Sequence, residues 1–173
     1  MNPKIIPRRP IILVGMNFFG DPFNKASSWS EDNEIGRLWK RFNLFLENNP
    51  ESINYRKNTA AFLEVHIINE QINETGEYEV FVGTEVEKIK EIPLECAAKF
   101  LPSTEYAVFS ISGKEITDMD LWKKVYDEWI PNAGYESSYN YNFQFYGKKC
   151  FDLNKIEDAK VDLYFPVRKI KMR

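Results

Sequence analysis

Apolar residues recur at two periods along this chain, and the change of period marks its elements. In SEDNEIGRLWKRFNLFLENNP, Ile35, Leu38, Trp39, Phe42, Phe45 and Leu46 fall three and four apart, which predicts one buried helical face. Ser30 is placed to cap this helix, Glu31 and Asp32 suit its first turn, and Pro50 closes it. A second stripe, Trp122, Val125, Tyr126, Trp129 and Ile130 in ITDMDLWKKVYDEWIPNAG, predicts another helix with Thr117 as its cap. Pro131 bars much further helix there, and Gly134 completes the turn.

Segments rich in β-branched and aromatic residues surround each helix and read as strands. RPIILVGMNFF precedes the first helix, and AAFLEVHIIN and EYEVFVGTEV follow it, joined by the turn-rich INETG. EYAVFSISG precedes the second helix, and NYNFQFYG and KVDLYFPVRK follow it. Strand, helix, strand, strand therefore occurs twice, and LWKRF at Leu38 echoes LWKKV at Leu121. The pattern predicts a duplicated β-α-β-β unit, with repeats over about 9–90 and 96–168 and a join near Glu91 to Cys96. The expected class is α+β: a pseudo-twofold domain over 1–173 with antiparallel sheets, two main helices and a central ligand cleft between the halves.

Within NYNFQFYG, alternation puts Asn142, Gln144 and Tyr146 on one face and Phe143 and Phe145 on the other. Pattern alone leaves the amide face as either the solvent side of the sheet or the polar wall of a pocket. By the same alternation Glu64 shares a face with Phe62 and His66, while Glu79 and Glu85 share one with Phe81 and Gly83. These three glutamates read first as surface charges. Gly83 marks a bulge, a packing constraint or a close approach.

Composition narrows the function. At 173 residues the chain can bury a sizeable core without staples. Aromatics reach 15%, enough either to fill a core with large rings or to furnish a wall on which flat ligands stack. The net charge of −3 provides no basic field for nucleic acid, and the one basic cluster, Arg168 to Arg173, reads as a solvated tail. The N-terminal apolar run is short and broken by Pro10 and Asn17, so it reads as a strand rather than a signal peptide, and no segment is long enough to span a membrane. Cys96 and Cys150 define neither a disulfide framework nor a metal site, which fits reduced thiols in the cytoplasm. No phosphate loop, paired metal ligands or nucleophile elbow is present, Gly113-Lys114 is a turn, and His66, the single histidine, has no matched nucleophile. No cofactor, metal or catalytic residue is assigned.

Taken in order, YEVFVGTEVEKIKEIPLECAAKFLPSTEYAVFSISG, LWKKVYDEWIPNAGYE, NFQFYG and VDLYFPV resemble the gyrase-inhibitor-like (GyrI-like) effector-binding domain, over roughly residues 9 to 168. That domain senses ligands in multidrug-responsive bacterial transcription activators and also occurs alone. The resemblance implies a cleft between two β-α-β-β copies that binds small, often aromatic and cationic molecules. It implies a stand-alone form here, with any transcriptional role passing through a protein partner. It also exposes a departure, because family members carry glutamate where this chain has Gln144, an amide that can neither hold a negative charge nor accept a proton.

The expected ligand contacts are Gln144, Tyr146, Trp39, Trp122, Tyr106, Tyr164 and Glu64. Trp39 and Trp122 either line the cleft or fill the core, and Glu64 is one carboxylate that could replace the missing family glutamate. The first functional expectation is a small-molecule binding or sensing protein. The alternatives are a hydrolase of strained small rings, using Tyr146 or Tyr106 with Glu64, and a protein-binding inhibitor of the gyrase type. Exposed sheet edges would allow pairing into a homodimer.

Overall fold

A computed structural model of the chain describes residues 3–24, 33–112, 115, 119–147 and 160–171. The chain divides into two compact units, residues 11–101 and residues 1–10 with 102–173. Strand β1 (Lys4–Arg8) belongs to the second of these. The first holds β2 (Ile11–Gly20), α1 (Glu34–Asn48), β3 (Phe62–Ile67), the single turn α2 (Ile72–Thr75), β4 (Tyr78–Val86) and β5 (Ala97–Leu101). The second continues with β6 (Thr104–Ser112), α3 (Met119–Lys124), α4 (Ile130–Asn132), β7 (Tyr135–Ser137), β8 (Tyr141–Tyr146) and β9 (Lys160–Lys169).

In the first unit the strands run β3-β4-β2-β5, each pair antiparallel. In the second they run β1-β6-β9-β8, again antiparallel, with β7 also on β9. Both units thus place the last strand of their β-α-β-β series between the other two. Short β1 and β5, which carry no strong alternation, were not among the expected strands. β5 follows the expected join yet pairs with β2, while β1 pairs with β6.

Helix α1 packs on β2 and β4 with Ile35, Leu38, Trp39 and Phe42 buried. Its cap is Asn33, whose side-chain oxygen accepts the Gly36 N–H at 2.7 Å; the expected Ser30, Glu31 and Asp32 lie outside the described residues. Residues directly opposite in antiparallel strands share a face. The register therefore aligns Met16, Val82 and Glu64 on the helix side of the sheet, with Val80 and His66 in the next row. The other face is buried too, by Leu13, Leu63, Val65 and Phe81. Gly15 and Gly83 sit opposite each other, and a Cβ on Gly83 would lie 2.6 Å from the Val14 carbonyl oxygen. Of the three meanings open for Gly83, the structure selects close backbone packing.

The second helix is described from Met119, so Thr117 and Gly113-Lys114 lie outside the described residues. After α3 the backbone widens over Val125–Trp129, where the Ile130 N–H bonds back to the Val125 carbonyl, five residues earlier. Pro131 then sits in the last turn, the helix ends at Asn132, and Gly134 adopts φ +81°, as the turn there requires. Tyr126 packs edge-on and Trp122 tilted against Phe165, and Trp129 lies against Phe109, so this helix covers the face of β6 and β9 that carries those rings. Pro166 is tolerated within β9 because β8 pairs through Asp162–Tyr164 and β7 through Val167–Lys169, which leaves a gap beside it. Its carbonyl accepts the Ser138 N–H at 3.0 Å in that gap.

Candidate functional site

The two units place different chemistry on the second strand of each series. In the first unit, β3 carries Phe62, Glu64 and His66 toward α1. Glu64 is only 1% exposed, which overturns its reading as a surface charge. One carboxylate oxygen accepts the Trp39 indole N–H from α1, and the other accepts the His66 Nε2–H at 2.8 Å. An ionised carboxylate only accepts hydrogen bonds, so Nε2 carries the hydrogen in that pair. His66 is itself only 7% exposed. By contrast Glu79 bonds Lys99 at 2.8 Å and Glu85 bonds Lys57 at 2.6 Å, as partly exposed charges do.

Rings close around the acid. Trp39 and Phe42 meet Phe62 edge-on with centroids 6.2 and 6.1 Å apart, and Tyr78 on β4 lies 5.4 Å from the His66 ring. Burial, then the charges of Glu64 and Asp21, push the Tyr78 hydroxyl well above the ordinary tyrosine range. Tyr78 therefore stays neutral and can serve as a ring face or a hydroxyl donor. The arrangement sets a carboxylate among aromatic rings, which, when the acid is ionised, is an environment that favours an organic cation. Among the described residues no group of three or more His, Cys, Asp or Glu side chains could hold a metal ion.

In the second unit the corresponding polar face is neutral. Asn142 and Gln144 are 3% and 0% exposed, so the solvent-side reading of this face fails. Asn142 donates to the Tyr126 hydroxyl at 3.1 Å, which turns the face toward the second helix. Tyr146 donates to the Gln144 side-chain oxygen at 2.6 Å. The Asn142 Oδ1 atom is the one buried side-chain polar atom with no hydrogen-bond partner among the described residues. The opposite face carries stacked rings. Phe143 lies on Tyr164 with centroids 4.5 Å apart, and Tyr106 meets both. The Tyr106 and Tyr141 hydroxyls share a hydrogen bond of 2.7 Å, and the Arg8 guanidinium covers Tyr164 at 5.4 Å. Burial raises the Tyr106 and Tyr164 pKa values.

The expected contacts therefore fall into groups. Trp39 joins Glu64, Gln144 joins Tyr146, Tyr106 joins Tyr164, and Trp122 packs half-buried on Phe165. Sequence reasoning missed His66 and Tyr78 as companions of Glu64, although the two-residue spacing in FLEVHI had put His66 on the right face. Cys96 is half-buried and its thiol is pushed up to about 11, chiefly by burial, which makes it a poor nucleophile; Cys150 lies outside the described residues.

The profile of Cass2, the integron-associated effector binding protein, matches residues 4–167. The chain belongs to this family. Solved structures repeat the effector-binding fold. SAV2435 bound to tetraphenylphosphonium superposes with a TM-score of 0.67 at 15% identity, covering 97% of this chain and 94% of that one. The C-terminal domain of EcmrR gives 0.61 at 13% identity, covering 96% and 97%. An integron cassette protein from the mobile metagenome of Vibrio cholerae gives 0.59 at 17% identity, covering 97% of each chain. At these identities the likeness establishes the fold alone. Among curated proteins no sequence matches this chain. No helix among the described residues is long and apolar enough to cross a membrane.

Proposed function

We propose that this effector-binding protein is a receptor for a small aromatic or apolar organic cation, with Glu64 as the counter-charge and Trp39, Phe62 and Tyr78 as ring walls. The observation that carries this reading is the 1% exposed Glu64 carboxylate beneath Trp39. Burying a carboxylate is costly, and here the cost is offset by hydrogen bonds with Trp39 and His66, groups that a bound cation could displace. SAV2435 is bound to tetraphenylphosphonium, a cation of this kind, and that supports the choice of ligand class.

This reading answers the question raised by Gln144. The amide of β8 in the second unit forms a neutral pair with Tyr146 and balances no charge, whereas the buried acid is on β3 of the first unit. Tyr106 and Tyr164 pack on the other face of the second unit's sheet from Trp122 and are not part of this proposed site. Because Glu64 is enclosed, a ligand reaches it only as Trp39 or Tyr78 swings aside, so association runs below the rate of a preformed pocket. Sensing or sequestering such a cation is the proposed role. The hydrolase reading is not favoured: the Tyr106 hydroxyl bonds a second phenol and that of Tyr146 an amide, neither of them a base.

The test is a calorimetric titration with tetraphenylphosphonium and with the neutral triphenylphosphine oxide. Wild type should prefer the cation, and Glu64→Gln should lose at least about tenfold in cation affinity, or ~1.4 kcal/mol, with little change for the neutral compound. Equal loss for both ligands, or for neither, would remove Glu64 from the site.

A further inference from the structure

The receptor reading leaves one partner of Glu64 unexplained, because a carboxylate reserved for a cation already holds His66. Histidine is the side chain whose ordinary pKa lies nearest neutrality, and its imidazolium is itself a cation. We propose that His66 makes ligand binding proton-coupled: a proton on His66 and an organic cation compete for the Glu64 carboxylate. The inference rests on the receptor reading and deepens it.

The geometry limits which groups take part. His66 Nε2 lies 2.8 Å from Glu64 Oε1 on the same strand, so a protonated ring forms an internal ion pair with the acid. From β4 the neighbour is Tyr78, kept neutral by burial and by the negative charges of Glu64 and Asp21. Asp21 belongs to the segment after β2 and makes the surroundings more negative, which favours the charged ring and the cationic ligand alike. From α1 the neighbour is the uncharged Trp39 indole on the other oxygen. The α1 cations Arg37, Lys40 and Arg41 are exposed, and Glu34 pairs with Arg37 at 3.3 Å. Of the two groups these contacts bond to Glu64, His66 is the one whose side chain can take up a positive charge.

The sign follows by linkage. Where His66 is protonated, a cation must displace a charge that already neutralises Glu64; where His66 is neutral, the carboxylate's charge is not neutralised by the ring. Affinity for a permanent cation should therefore rise with pH by up to about tenfold per unit below the His66 midpoint and level off above it. By reciprocity the bound cation lowers that midpoint. The site would release its ligand on acidification without any change in the ligand's own charge.

Because His66 is the chain's single histidine, its ring protons can be followed without ambiguity in the wild-type protein. The experiment is an NMR pH titration of His66 without and with saturating tetraphenylphosphonium, together with affinities for that cation from pH 5 to 8. The expected result is a midpoint shifted to lower pH by the cation and an affinity that climbs with pH, a climb absent in His66→Gln. Binding with an unmoved midpoint and a flat profile would overturn proton coupling and leave the receptor reading standing. A pH dependence that survives in His66→Gln would assign the coupling to another group and also overturn the inference. Failure to bind at any pH would sink both.

Discussion

Glu64 and His66, two residues apart on β3, share a hydrogen bond of 2.8 Å beneath α1, and Trp39 holds the second oxygen of the same carboxylate. An acid so placed links stability to binding. Replacing it with alanine leaves the Trp39 N–H and the His66 ring without this acceptor and opens a cavity, at a cost of about 3 kcal/mol. Glu64→Gln keeps an acceptor and a donor of the same size and should cost about 1 kcal/mol. Urea unfolding of the two variants checks the order. Equal losses would mean that the hydrogen bonds contribute little.

Gly83 packs against backbone rather than ligand. Gly83→Ala brings a Cβ within 2.6 Å of the Val14 carbonyl oxygen and 2.7 Å of the Phe81 ring, so β2 and β4 must separate. The expected destabilisation is about 2 kcal/mol, read from thermal unfolding. A neutral substitution would show that the pair of strands yields easily there.

Much of this architecture can be read from the sequence, and the reasons differ from element to element. The stripe of α1 buries one consistent face, so periodicity reports it, whereas β3, β4 and β8 are buried on both faces and, like β6 and β9, are legible from runs of β-branched and aromatic residues. Asn33 takes the cap because the helix begins at Glu34, and a polar run such as Ser30 to Asn33 offers several candidates that composition cannot rank. β1 and β5 are short strands, each paired with only one neighbour in its own unit, with too few residues for a pattern. Glu64 misleads for a different reason. Charged residues at alternating strand positions usually face water, and only the tertiary contact with Trp39, twenty-five residues earlier, reveals a buried acid.

The amide face of β8 provides an independent check. Tyr146→Phe removes the 2.6 Å bond to Gln144 while preserving the ring, and should cost about 1 kcal/mol of stability. Cation affinity should change less than in Glu64→Gln, because no charge is lost. Denaturation and titration of the same preparation separate the two effects, and a larger loss of affinity than Glu64→Gln causes would move the charge-sensing centre to the second unit.

Alkaline pH tests the enclosure around Tyr78. Its hydroxyl is raised well above the ordinary tyrosine value, so the unfolded chain loses that proton first as pH climbs. The contribution is intact below about pH 10 and declines above it, and stability should fall along that limb. Tyr78→Phe should flatten part of the fall, and ultraviolet absorbance of the phenolate should show one ring fewer titrating late. An unchanged alkaline limb would mean that Tyr78 is solvated and that the acid is less enclosed than its contacts indicate.

The most direct measurement is the structure of the complex with tetraphenylphosphonium. The account predicts the cation's charged centre within about 6 Å of the Glu64 carboxylate, with Trp39 or Tyr78 displaced and stacked against a phenyl ring. A cation bound elsewhere, with the bonds from Trp39 and His66 to Glu64 intact, would contradict it.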